Sequence, residues 1–357
     1  MAVRPRLRRQ FCRTLVRMTS EDSLAAQTAP GNEDLDSPRF ARVQGKLLHW
    51  FGGNRRDLPW RRSRDPYQIL VSEVMLQQTQ VDRVLPYYRA FLDRFPTAAA
   101  LAAAPTADVI RTWSGLGYNR RAVNLQRTAR YVVDEEDGVF PRDVDALRRL
   151  PGIGPYTAGA IACFAFEQDV AFIDTNMRRV LHRLFVGVDV PAPQVPDRTV
   201  IAIAERALPP GLGWDWNQGL IEFGALHCTS RKPACVVCPL QPECRAFPAI
   251  QGVLAAARAT PRPRREPAFA GSNRFYRGRI IAALRDLPGG VQSSGIDLRS
   301  LGPLVRPDFR DEHVPWLSSV IDGLARDGLA RIAEECPPYD AGTGEGGGSA
   351  RVKVRLP

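Results

Sequence analysis

A chain of 357 residues has room for two or three domains of roughly 100–200 residues each. Its 44% hydrophobic content excludes global disorder, and no run approaches the ~18 consecutive apolar residues of a membrane span. The formal net charge of +11, from 49 basic and 38 acidic residues, implies a polyanionic partner, and without a membrane segment nucleic acid is the better fit.

Residues 1–37 hold a basic stretch, Arg4 to Arg17, and then a polar one to Asp36, which together read as a disordered tail or as the product of a start codon placed upstream of Met18. No long apolar core lies between Leu15 and Ala26, so a secretory signal is not expected. From about 38 to 226 the pattern is helical, with short Gly/Pro breaks. Asp65 is placed to cap a helix whose first turn takes Pro66 and whose apolar positions include Ile69, Leu70, Val74 and Leu76. Further helices are expected over Pro105–Trp113, Arg120–Val133 and Asp143–Leu150, and, after the break Pro151-Gly-Ile-Gly-Pro155, over Tyr156–Phe166. Residues 251–270 read as a basic, Pro-rich linker. A small domain over 271–357 is expected beyond it, with helices at Arg277–Arg285, Leu298–Leu304 and Pro315–Leu329, a Gly-rich loop at Gly342–Gly348 and a strand at Ala350–Leu356. Three helices and a terminal hairpin resemble a winged helix, a module that binds either DNA or protein.

Three motifs carry chemistry. Cys228, Cys235, Cys238 and Cys244 are spaced C-x6-C-x2-C-x5-C. In a long chain with an odd seven cysteines and no signal segment, this reads as a metal centre in a reducing cytoplasm, not as disulfides. Zinc and a cubane iron–sulfur cluster both accept four cysteines; zinc sites more often pair two C-x2-C knuckles, and only one such pair occurs here. Such a centre would also pin the end of the helical domain. Gly152 and Gly154, between two helices, allow a tight hairpin whose amides can hold a phosphate, or simply a turn. Glu73 lies among Val71, Val74, Met75 and Leu76, where burial would raise its pKa toward general-acid duty, unless it faces a polar gap on the helix surface. Asp174 follows the apolar run Val170–Ile173 and would serve as a plain N-cap on sequence alone.

Read in order, the segments Leu58-Pro-Trp-Arg61, Ser72-Glu-Val-Met-Leu-Gln-Gln-Thr79, Gly115-Leu-Gly-Tyr118, Pro151-Gly-Ile-Gly-Pro-Tyr-Thr157, Asp174-Thr-Asn-Met-Arg-Arg-Val180, Asn217-Gln218 and the cysteine loop resemble MutY-type adenine DNA glycosylases over roughly residues 40–248. The resemblance implies a mainly α fold: a two-lobed helix-hairpin-helix glycosylase domain over 38–250, with an Fe–S loop and with DNA in the cleft between lobes. It implies a [4Fe–4S] cluster on the four cysteines, and protonation of a flipped adenine by Glu73. Asp174 would stabilise or trap the oxocarbenium-like sugar, with Tyr156 and Asn176 in support. Trp60 and Glu222 correspond to adenine-pocket positions. Gln78 and Tyr118 correspond to a duplex wedge that Leu116 would join. Endonuclease III relatives carry a Schiff-base lysine where Tyr156 stands, so monofunctional hydrolysis is expected. Thr175 replaces the family's usual glycine and Asn119 its second tyrosine. Residues 270–357 are too short for the usual Nudix-like reader of 8-oxoguanine, and the one histidine there, His313, reads as a surface residue. The expected partner is duplex DNA with a mismatched adenine, bound by a monomer, in a nucleoid if the cell is bacterial. A mismatch uracil, thymine or damaged-base glycosylase is the first alternative, and a non-catalytic Fe–S DNA-binding protein the second.

Overall fold

The computed structural model describes residues 38–190, 195–259, 269–335 and 351–357. The tail 1–37, the part of the expected linker over 260–268 and the loop Gly342–Gly348 lie outside the described residues. No helix among them is long and apolar enough to cross a membrane.

Helix α1 (Pro38–Asn54) buries Phe40, Val43, Leu47 and Phe51, a stripe at helical spacing. The first lobe then runs without interruption through α2 (Pro66–Leu76), α3 (Val81–Arg94), α4 (Ala98–Ala103), α5 (Thr106–Thr112), α6 (Arg120–Glu135), α7 (Val144–Arg149) and α8 (Pro155–Phe166). Asp65 caps α2 by accepting from the Tyr67 amide at 2.9 Å, and Pro66 occupies the first turn as expected. Helices α2 and α8 pack together at the centre of the molecule, each buried on every side over a run of residues, Ile69–Met75 and Thr157–Ala165. Gly159 permits the approach of Phe172, whose Cβ would lie 2.8 Å from an added methyl group.

The second lobe combines α1 with α9 (Thr175–Phe185), α10 (Asp197–Ala207) and α11 (Gly213–Leu226). The cysteine loop follows, and then α12 (Ala249–Ala259). The expected linker over 251–270 is corrected here. Its first nine residues continue α12, because Ile250 and Leu254, one turn apart, are buried beside Val188 and Val190.

The C-terminal unit contains α13 (Asn273–Arg285), α14 (Gly289–Ser294), β1 (Ile296–Asp297), α15 (Leu298–Val305), α16 (Val314–Arg326), β2 (Arg331–Glu335) and β3 (Arg351–Arg355). The three strands form an antiparallel sheet in the order β1-β3-β2, with Val354 facing Ile296 on one side and Ile332 on the other. This is a winged-helix arrangement, as the pattern suggested. Its core of Ile280, Leu284, Leu301, Leu317, Ile321 and Val354 takes in Ile110 from α5 and Val123 from α6, so the unit is docked on the first lobe through shared apolar contacts. The Arg111 guanidinium donates to Gln292 Oε1 at 2.7 Å across the same seam.

Candidate active site

Both lobes line one cleft of about 970 Å³. Glu73 enters from α2, Tyr156 from the start of α8, Asp174 and Asn176 from the start of α9, Glu222 from α11, and Arg56, Trp60 and Arg61 from the segment before α2. The sequence separates these groups by up to 166 residues, and the two lobes bring them together.

Glu73 is 6% exposed. Burial pushes its pKa up to about 7 and the nearby Asp174 charge adds to this, while a hydrogen bond from the Tyr156 hydroxyl opposes both. A carboxyl in this state is half protonated near neutrality, as a general acid requires. Tyr156 is held edge-on against Phe172, with ring centroids 5.5 Å apart, and burial keeps its hydroxyl protonated.

Asp174 is the N-cap of α9. Its Oδ1 accepts from the Met177 amide at 2.6 Å and its Oδ2 from Asn176 Nδ2 at 3.0 Å. Burial raises its pKa, and those hydrogen bonds together with the Arg179 charge pull the other way. Asn176 is fixed in turn, since its Oδ1 accepts from Arg179 Nη2 at 2.8 Å.

Glu222 is fully buried, which alone would raise its pKa, yet it is held down at about 2 by Arg56 and Arg61. Arg56 donates to Oε1 at 2.9 Å and to Oε2 at 2.6 Å, and Arg61 Nη2 donates to Oε2 at 3.0 Å. Sequence reasoning assigned neither arginine a role. Arg61 stood inside a quoted motif, but nothing local signalled a partner more than 150 residues away. Trp60 lines the cleft and packs edge-on against Tyr88 at 5.3 Å.

Gln78 and Tyr118 lie on two neighbouring turns, with φ of 56° and 50°, and both are exposed. Arg121, also unforeseen, joins the turns. Its Nη1 donates to the carbonyls of Val74, Met75 and Gln77 at 2.5–2.9 Å, and its Nη2 to Thr79 Oγ1 at 3.2 Å and the Gly117 carbonyl at 3.3 Å. These bonds satisfy carbonyls left open at the end of α2. Leu116, expected to join the wedge, does not: it is 4% exposed and packed in the core beneath the turn.

The hairpin between α7 and α8 has Gly152 at φ 83°, where a side chain would crowd Asn124 Cβ at 3.1 Å, while Gly154 takes the extended conformation that starts α8. Thr128 on α6 donates to the Pro151 carbonyl at 2.6 Å and anchors the turn.

Cys228, Cys235, Cys238 and Cys244 line one closed pocket with Val180, Leu184, Phe223 and Leu240. Among the described residues, no three His, Cys, Asp or Glu side chains gather tightly enough to hold a single metal ion. Arg183 donates to Cys228 Sγ at 3.6 Å and to the Thr229 carbonyl at 2.8 Å, and Asp189 holds it at 2.8 Å. Burial pushes all four thiols up, Cys238 to about 12. The buried His227 Nε2 has no partner among the described residues and also borders the pocket. Four sulfur donors around one apolar pocket beside a fixed cation fit an anionic thiolate-held metal centre.

Residues 71–200 match the HhH-GPD superfamily of base excision DNA repair proteins. An adenine DNA glycosylase of Mycolicibacterium smegmatis is 42% identical over 308 residues, covering 85% of this chain and 97% of that protein. The chain belongs to the adenine DNA glycosylase family. The adenine DNA glycosylase of Mycobacterium tuberculosis is 40% identical over 271 residues, 73% of this chain and 84% of that one. A solved thermostable thymine-DNA glycosylase superposes with a TM-score of 0.55 at 32% identity, covering 58% of this chain and 96% of its own. The first match is too long to end before the C-terminal unit, so this chain shares at least part of that unit with its relative.

Proposed function

We propose that this adenine DNA glycosylase hydrolyses the N-glycosidic bond of adenine mispaired with guanine or 8-oxoguanine, without strand cleavage. The observation that carries the reading is Glu73: a carboxyl buried at the meeting point of α2 and α8, with its pKa at about 7, in the same cleft as Asp174. The flipped base sits between Trp60, Glu222 and Arg61. Glu222, Arg56 and Arg61 are spent on one another and so fix that wall of the pocket. Glu73 delivers its proton to a ring nitrogen, and the electron pair of the glycosidic bond leaves with the neutral base. The Asp174 carboxylate faces the cationic sugar carbon that results. Water then adds its oxygen to that carbon and gives its proton to a carboxylate. Tyr156 positions the acid and supplies no amine, and among the described residues lining the cleft there is no lysine, which supports hydrolysis over Schiff-base lyase chemistry.

A [4Fe–4S] cluster would be held by the thiolates of Cys228, Cys235, Cys238 and Cys244, and when bound it supplies a cross-link that fixes the loop. Arg183 would offset its negative charge. The proposed state is a monomer on duplex DNA, gripped at the Gly152–Gly154 hairpin and wedged by Gln78 and Tyr118. The proposed setting is the cytoplasm, whose reducing conditions keep cysteines available as metal ligands.

The test is a single-turnover reaction on end-labelled duplexes carrying adenine opposite guanine, 8-oxoguanine or cytosine, followed by alkali. Alkali-dependent cleavage at adenine that drops by 10²–10⁴ in Glu73→Gln is the expected result. No cleavage opposite any base would overturn adenine excision, and cleavage without alkali would overturn the monofunctional reading.

A further inference from the structure

The C-terminal unit reaches the wedge. Arg274, in the first turn of α13, lays its guanidinium 4.5 Å from the centre of the Tyr118 ring. The same guanidinium lies 5.9 Å from the ring of Phe269. Ser272 fixes the start of this helix by accepting from the Phe275 amide at 3.2 Å, and the Phe275 ring meets Phe269 edge-on at 5.7 Å. Tyr118 is 43% exposed and Phe269 62%. Two open rings therefore flank one exposed guanidinium on a pinned helix start.

Arg274 differs from the cations around it. Arg120 and Arg277 pair with Asp327, Arg285 with Asp286, and Arg121 is spent on carbonyls. Among the described residues Arg274 has ring contacts and no hydrogen-bond acceptor. An arginine whose face is held on a ring still presents the donors at its edge, and a planar fork of this kind suits a phosphate or a base edge. None of Tyr118, Phe269 and Arg274 lines the cleft that takes the adenine.

We infer that Phe269 and Arg274 extend the Tyr118 wedge, so that the C-terminal unit forms part of the DNA-binding surface and holds the strand bearing the base opposite the adenine. The occupant is that unpaired base, stacked on an aromatic face, together with its adjoining phosphate. Charge supports DNA over a protein partner: the chain carries +11, and the patch sets one unspent cation beside the open ring of Phe269, on which any base can stack, while the Tyr118 ring also meets Arg121 at 5.4 Å. The inference rests on the glycosylase reading for its choice of strand.

The experiment uses the full chain and a duplex with adenine opposite 8-oxoguanine, and titrates binding against salt for wild type, Phe269→Ala, Arg274→Ala and Arg274→Lys. Each alanine variant is expected to raise Kd about tenfold, the scale of one lost base–aromatic contact. Arg274→Ala should also flatten the slope of log K against log salt by about 0.9, whereas Arg274→Lys should keep the slope and lose only the stacking share. Thermal midpoints should stay at the wild-type value, because both side chains are exposed. A second measurement uses the wild-type protein: 5-iodouracil next to the base opposite the adenine should photocrosslink to Phe269 or Tyr118. Wild-type affinity and slope in both alanine variants, or crosslinks confined to other segments, would overturn the inference and leave the patch to a protein partner. Alkali-dependent cleavage by the wild-type enzyme is recorded in parallel; its absence would sink adenine excision without touching the binding comparison.

Discussion

Glu73 and Glu222 share one cleft and titrate in opposite directions. Burial acts on both in the same sense; the difference is that Glu73 has a tyrosine hydroxyl for company and Glu222 has two guanidinium groups. In the proposed reaction the protonated form of Glu73 is the reactive one, so the excision rate at saturating enzyme should fall about tenfold per unit well above pH 7. A carboxyl raised from 4.5 to about 7 stabilises the fold below pH 4.5, and this advantage is lost as pH rises through 7. Glu73→Gln, which carries no charge to desolvate, should therefore be more stable than wild type at pH 8, by up to roughly 3 kcal/mol, and show no such gain at pH 4. Denaturant titrations at the two pH values measure this, and equal effects at both would contradict the assigned burial cost. Glu73 was legible in the sequence because its apolar neighbours are local. The fixing of Glu222 was not, because Arg56 and Arg61 meet it only through the tertiary fold.

Helix α9 begins on a residue with two duties, and they can be separated. Asp174→Asn keeps an oxygen for the Met177 amide and so keeps the cap, but it removes the charge that the proposed reaction sets against the sugar cation. Asp174→Ala removes both. The expected outcome is that both variants lose excision, while only the alanine variant loses about 1 kcal/mol of stability. Full activity in the asparagine variant would show that capping alone accounts for the residue. Helices with a clear apolar period or a Pro/Gly boundary, such as α2, α6 and α8, were legible to within a residue or two. The short α14 and the two-residue β1 were not, since Gly289-Gly290 carries no helical period and Ile296–Asp297 becomes a strand only by pairing with Val354 and Lys353. The end of α12 was masked by the basic composition that follows it. Leu116 shows a further limit: a motif fixes where a turn is, and packing decides which of its side chains face outward.

The whole molecule is a two-lobed clamp with a third unit bolted to one jaw. Ile110 and Val123 are 1% and 4% exposed, and they owe this to the C-terminal core. A chain ending at residue 268 would bare that surface on the jaw that carries Glu73. It should melt below the full-length protein and self-associate in sedimentation, and a truncated protein as stable and monodisperse as the whole would show that the docking is incidental. The same jaw is continuous in sequence, whereas the other is not. Arg39 on α1 binds the Glu243 carbonyl 204 residues further on, and Phe40 stacks on Phe185 at 4.5 Å. At 5–20 residues per second, roughly 10–40 s of synthesis separate the first of these groups from the last. For that time the apolar stripe of α1 waits at the mouth of the ribosome while the jaw bearing the acid can already close. The cleft between the lobes is therefore complete only after the cysteine loop has been made and the earliest helix is finally claimed.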